Sequence, residues 1–175
     1  MDDRPLHQRL QFDTANGQVL DMDRRYVLLR ADVLMGVFEM LQPKHRAEAL
    51  DAFARSVLAY GSRSVQAYDQ LGEGGAMGLL TAVAEGAASL GWGAWTFKLD
   101  GHTCELEVLN SPFAHAATRL GAPACAPILG MLRAVCTHVW ARPSLASERE
   151  CAGCGGSAHG PGGICRFEAR ASEPA

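Results

Sequence analysis

Five side chains in the C-terminal third of the chain are of types that do chemistry together: Cys125, Glu148, Cys151, Cys154 and Cys165. Thiolate sulfur selects borderline-soft divalent ions and a carboxylate can complete four-coordination, so three thiolates with one carboxylate describe a zinc shell. Two donor sets compete. The first is Cys125, Glu148, Cys151 and Cys165; the second replaces Glu148 by Cys154, because Cys151-Ala-Gly-Cys154-Gly is a knuckle of the zinc-ribbon kind. His159 is a third substitute. Cys125 opens a helix, where free backbone N–H groups and the helix dipole favour a thiolate. Glu148 and Cys151 are an odd number of positions apart, so a regular strand would point them to opposite faces. If both ligate, the strand must bulge or end between them. Cys104 and Cys136 read instead as buried small hydrophobes.

The elements that would position these donors follow from periodicity. A hairpin is expected over about 8–22, turning at Asn16-Gly17, the pair that best suits a type I′ turn. The apolar crowd from Arg24 to Leu41 reads as one helix ended by Pro43, and a second helix over 44–70 carries a stripe including Phe53, Val57, Gly61, Val65 and Tyr68. Glycine inside that stripe costs about 1 kcal/mol against alanine, which implies a close neighbour or a ligand at Gly61. Residues 76–90 are small and apolar on nearly all sides and are expected in the interior. The pattern then alternates: Trp95, Phe97 and Leu99, a turn at Asp100-Gly101, then Cys104, Leu106 and Val108, with Phe97 facing Cys104 and Trp95 facing Leu106. A helix started by Pro123 and Pro127 runs to about 142, and strands near 144–151 and 163–171 enclose a glycine-rich loop. The sum is an α+β chain, an antiparallel sheet with packed helices, in one domain spanning 1–175, with the zinc region at about 125–167.

Composition limits the function. The 175 residues are 48% hydrophobic and 20% charged, with a net charge of −3, which leaves no broad cationic face for nucleic acid. The longest apolar run, 120–132, falls short of the roughly 18 residues of a membrane span. No apolar signal-type stretch stands at the N-terminus, so the expectation is a cytoplasmic chain whose six cysteines stay reduced. Metal ligation explains the clustered cysteines better than disulfides do.

The chain resembles the 4-vinyl reductase (hydrocarbon-binding) domain family. The residues that carry the resemblance are Asn110-Ser-Pro-Phe-Ala114, Cys125 leading a helix, Glu148-Arg-Glu-Cys151 and Gly163-Ile-Cys165-Arg-Phe167. The separation of 23 between Cys125 and Glu148 is similar to that in the sensor domains of bacterial phenol and toluene activators. The resemblance implies a fold like that of TRAPP tethering subunits, an apolar cavity, homodimers, and zinc on Cys125, Glu148, Cys151 and Cys165. The loop between Cys151 and Cys165 is longer than in the family and holds the extra Cys154.

The expected function is binding of a small hydrophobic molecule (an aromatic, a lipid or a tetrapyrrole) by a sensor or carrier domain stapled by structural zinc. Phe38, Tyr60, Trp92, Trp95, Phe97 and Phe113 are the candidate lining residues. The alternative is a dimerising adaptor without ligand. Vinyl reduction is disfavoured, because a reductase needs a hydride source and no Gly-x-Gly-x-x-Gly follows a strand. His115 is the one histidine of catalytic aspect, it pairs with no nucleophile by motif, and no catalytic residue is assigned.

Overall fold

The computed structural model describes residues 4–69, 74–117, 119–154 and 163–173. The fold is α+β. Its frame is a four-stranded antiparallel sheet in the order β4-β5-β7-β6, built from β4 (Ala94–Asp100), β5 (Thr103–Leu109), β6 (Ser144–Glu150) and β7 (Ile164–Ala171). Strict alternation decides its two faces. Trp95, Cys104, Leu106, Val108, Cys165, Phe167 and Ala169 are buried on one. The other carries charges paired across strands, Arg166 with Glu107 at 2.8 Å and Lys98 with Glu105 at 3.7 Å.

Helices α3 (Pro43–Asp69), α4 (Gly75–Ser89) and α6 (Ala126–Trp140) make the second layer, with α6 across β6 and β7, α4 against β4, and α3 packed on α6. Sequence chemistry sets their ends. Pro43 and Pro127 occupy first turns, where a missing N–H costs nothing. The short α5 (Pro112–Ala116) is capped by Ser111, whose Oγ accepts the Ala114 N–H at 3.3 Å. Close approach of α3 and α6 requires two glycines. A Cβ on Gly130 would collide with the Ala54 carbonyl oxygen, and one on Gly61 would lie 2.9 Å from the end of Met131. The neighbour anticipated at Gly61 is therefore α6.

Several local expectations are corrected. The N-terminal segment is a short helix α1 (Leu6–Arg9) followed by three strands, β1 (Gln11–Asp13), β2 (Gln18–Asp21) and β3 (Arg24–Tyr26), in a small antiparallel sheet. Its first turn is the four residues 14–17 rather than Asn16-Gly17 alone, because Asp13 pairs with Gln18 and the Asp13 carboxylate accepts from the Asn16 backbone and side chain. Residues 24–26 pair with β2, so the expected helix over 24–41 shrinks to α2 (Ala31–Met40). Strand pairing and the buried Arg9–Asp21 ion pair, at 3.1 Å, outweigh local helical preference there. The β4–β5 turn is Gly101-His102, with Gly101 at φ +53°, so Phe97 faces Leu106 and Trp95 faces Val108. That slip of two residues preserves every inward-facing side chain. Helix α4 is buried along Leu79, Leu80, Val83 and Ala87, while Met77, Thr81 and Glu85 meet solvent, so it is one-sided rather than interior. Among the described residues no helix is long and apolar enough to cross a membrane.

The two kinds of helical glycine should separate in stability measurements. Gly130→Ala is expected to lose about 1–3 kcal/mol by overpacking against the α3 backbone. Gly36→Ala, in α2 with nothing within 4 Å of the added methyl, should gain about 1 kcal/mol of helix propensity. Urea unfolding of both variants checks the pair, and equal effects would contradict this account of α3–α6 packing.

Candidate functional site

The start of α6, the end of β6 and the start of β7 converge on one spot. One donor atom from each of Cys125, Glu148, Cys151 and Cys165 lies within 4.8 Å of the other three. Three local features bring them there. Cys125 is the residue preceding α6. Cys165 faces the core from β7, opposite Val108 of β5. Between Glu148 and Glu150 the β6–β7 register shifts, and this bulge turns both Glu148 and Cys151 to the same side.

Hydrogen bonds hold the donors. Cys125 and Cys165 are fully buried with their sulfurs 3.7 Å apart. The Ala152 N–H donates to Cys165 Sγ at 3.3 Å, the Cys125 N–H donates to Glu148 Oε2 at 3.4 Å, and the Ser111 hydroxyl is 3.2 Å from Cys125 Sγ. Ser111 thus both caps α5 and contacts a donor, a role not assigned to it from the sequence, although serine before proline at a helix start is the available signal.

The electrostatics describe a site short of positive charge. Cys151 is held well below the usual thiol range, first by hydrogen bonds from the Cys125 and Cys165 thiols. Cys125 is pushed far up, first because it donates to Cys151 and Cys165, then by burial. Glu148 is pushed up to about 8, mainly by burial and then by Cys151. Its Oε1 is buried without a hydrogen-bond partner among the described residues, and an unsatisfied buried acceptor costs about 1–3 kcal/mol.

These residues fit a divalent ion. Two sulfurs at about 2.3 Å from a tetrahedral centre stand about 3.8 Å apart, close to the 3.7 Å between Cys125 and Cys165, and a cation would give Glu148 Oε1 its missing partner. The cluster could hold a metal ion. Cys154 is not one of its four members; its backbone N–H donates to the Cys151 carbonyl at 3.0 Å, turning the knuckle. His159 lies outside the described residues.

The aromatic candidates scatter. Phe38 is buried and stacks on Phe53 with ring centres 5.9 Å apart. Trp92 meets Phe113 edge-on at 5.1 Å, and Trp95 meets Phe97 at 5.9 Å. Tyr60 is 66% exposed on α3, under the Arg63 guanidinium. Only Trp92 and Trp95 of the six border a cavity of about 120 Å³, whose other walls are Tyr26, Ser64, Tyr68, Val83, Gly86, Ala87, Leu90 and Met131. Tyr68 had the signature of ordinary core in its helical stripe, and Tyr26 that of a helix, so neither stood out as a lining residue. His115 is exposed in an open groove of about 600 Å³ with Arg30, Asp32, Glu39 and Arg119.

No protein-family model matches the chain, and no curated protein matches it by sequence. Solved structures do. The fold is shared with the phenol-responsive sensory domain of the transcription activator PoxR, solved with phenol, at a TM-score of 0.77 and 21% identity over 95% of this chain and 86% of that one. A vinyl-4-reductase family protein from Methanocaldococcus jannaschii is similar at a TM-score of 0.53 and 12% identity, covering 82% of this chain and 91% of that one.

Glu148 gives the metal-free protein a defined pH response. Its folded pKa of about 8 lies above the ordinary 4.5. The stability this group contributes is therefore fully present below about 4.5 and lost as pH rises through about 8. Glu148→Gln keeps a neutral side chain throughout, so its stability relative to wild type should rise from about pH 5 to about pH 9. Urea unfolding in chelator measures this, and parallel profiles would contradict the burial of a protonated carboxyl.

Proposed function

We propose that residues 1–175 form a sensor or carrier domain that binds a small hydrophobic molecule, an aromatic above all, and that a structural zinc ion staples it. The observation that carries the reading is the cavity walled by Trp92, Trp95, Tyr68 and Met131. Its volume of about 120 Å³ is near that of the apolar cavity of about 150 Å³ that admits benzene in another protein. The likeness in fold to a domain solved with phenol supports it.

Zinc is the ion that suits three sulfurs and one carboxylate. Cys125, Glu148, Cys151 and Cys165 would hold it. With four protein donors the ion keeps no open position, so it supplies folding energy and no Lewis-acid chemistry. Thiolate ligands of this kind also suit a reducing compartment such as the cytoplasm.

A second reading, the dimerising adaptor, is favoured by one feature. Helix α2 buries Met35 and Phe38, yet Val33, Val37 and Met40 on its opposite side are exposed, as are Val27, Leu28 and Leu29 just before it. A helix with apolar residues on two opposite sides is normally covered on both. A homodimer would form here, α2 against α2 of a second copy. Pairing and ligand binding are compatible, and the adaptor reading differs in having no ligand.

Native mass spectrometry of freshly purified protein tests the zinc and the homodimer together. About one zinc per chain is expected, lost in Cys151→Ser and kept in Cys154→Ser. The dimer mass should fall to the monomer in Val37→Glu. Absence of metal from the wild type would end the zinc reading.

Thermal unfolding with a panel of small aromatics separates binder from adaptor. A ligand at about a hundredfold excess over Kd adds about 2.7 kcal/mol, and Ala87→Leu, which fills the cavity, should abolish the gain. A protein indifferent to the whole panel would be an adaptor.

A further inference from the structure

One end of the cavity is built differently from the rest. Ser64 and Tyr68 stand four residues apart on α3 and so share a face. Tyr26 sits on β3 beside Arg24, two positions away and on the same side of the strand. Ser64, Tyr68 and Tyr26 bring the only hydroxyl groups of the lining; the remainder is aliphatic, aromatic or thioether.

Charge at this end is unbalanced. Arg9 and Asp21 neutralise one another through two hydrogen bonds of 3.1 and 3.2 Å, with Asp21 only 1% exposed. Arg24 is half-buried and has no carboxylate partner among the described residues. Its Nη1 donates to Ser64 Oγ at 3.5 Å, and its charge acts on both Tyr26 and Tyr68. Asp21 and Arg9 are the other charged groups that act on the two tyrosines.

The hydroxyls are primed as donors. A guanidinium only donates, so Arg24 occupies an acceptor site of Ser64 and leaves the serine proton free for another partner. The Tyr68 hydroxyl has no hydrogen-bond partner among the described residues, and Gly86 is what makes room for it: a Cβ there would lie 3.0 Å from that oxygen. Burial keeps Tyr68 protonated. The Trp95 indole N–H is already used, donating to the Trp92 carbonyl at 3.1 Å. Trp95 therefore offers a ligand its ring and no proton. A plain hydrocarbon would leave these donors unpaired, which a buried site penalises.

The geometry points to a ligand that is a monocyclic aromatic carboxylate, its ring against Trp92, Trp95 and Met131 and its anionic oxygens toward Tyr68, Ser64 and Arg24. This rests on the cavity being a ligand site, as proposed above, and adds the ligand's charge and orientation.

Isothermal titration with benzoate, phenol and toluene at about pH 7 distinguishes the cases. Benzoate, ionised at that pH, should bind at least about tenfold more tightly than either of the others, one charge-assisted hydrogen bond being worth about that factor. Arg24→Met and Tyr68→Phe should each weaken benzoate about tenfold, and neither should weaken toluene; Arg24→Lys, which keeps the charge, should retain benzoate binding. Unfolding curves confirm that the variants fold. Toluene or phenol binding as tightly as benzoate, or benzoate binding indifferent to Arg24→Met, overturns the carboxylate assignment and leaves the cavity reading intact. No binding of any of the three overturns both.

Discussion

Four acidic side chains meet in a buried volume where they can be neither all charged nor all satisfied. That constraint organises the C-terminal half. Cys151 is held well below the usual thiol range by its thiol neighbours, burial and hydrogen bonding push Cys125 up, burial pushes Glu148 up, and one oxygen of Glu148 has no hydrogen-bond partner among the described residues. Such a cluster stabilises the fold only if something supplies positive charge, because buried acceptors without partners cost more than their mutual contacts return. The price of the arrangement is visible in the β6 bulge, which breaks the ladder to aim Glu148 and Cys151 at the same point. Its return is connectivity: the start of α6 is tied to the two strands at the far edge of the sheet.

The same sheet links this cluster to the cavity. Trp95, Val108 and Cys165 are cross-strand partners in a single row over β4, β5 and β7. Neighbouring strands stand about 4.8 Å apart, so a cavity wall and a sulfur donor are separated by about 10 Å of packed sheet. Displacing Cys165 would move Val108 and with it the floor under Trp95. The opposite wall comes from α3 and α4, where Gly86 gives space to the Tyr68 ring. The N-terminal strands close the remaining side and bring Tyr26 and Arg24, held in place by the buried Arg9–Asp21 pair. The cavity is thus lined by segments remote in sequence, with the sulfur cluster on one flank and an ion pair on the other.

The outside is uneven in a complementary way. The solvent face of the four-stranded sheet is covered by cross-strand ion pairs, several of them around Arg166 and Glu168. Charges on an open face discourage further strand or sheet association. Helix α2 has the reverse character, with Met40 89% exposed at its end.

Much of the sheet was written locally. Alternation of Trp95, Phe97 and Leu99 with polar neighbours chose the buried face, and because side chains repeat every two residues, even a misjudged turn at Asp100-Gly101 left that choice intact. Cysteine spacing together with the odd separation of Glu148 and Cys151 indicated the need for a bulge before any contact was known. Helices α3, α4 and α6 followed from apolar stripes and prolines. What tertiary structure alone decided was pairing and enclosure. Residues 24–26 became a strand because β2 offered hydrogen bonds and Asp21 found Arg9, which no local propensity encodes. Cys154 lies beside Cys151 but is not one of the four donors that converge, although its spacing in the sequence allowed it in. Tyr60 met solvent while Tyr68, eight residues on, entered the cavity wall. Periodicity specifies which face of an element is apolar, but whether two such faces close completely or leave a space depends on side-chain volumes arriving from distant segments, and that sum exists only in the folded chain.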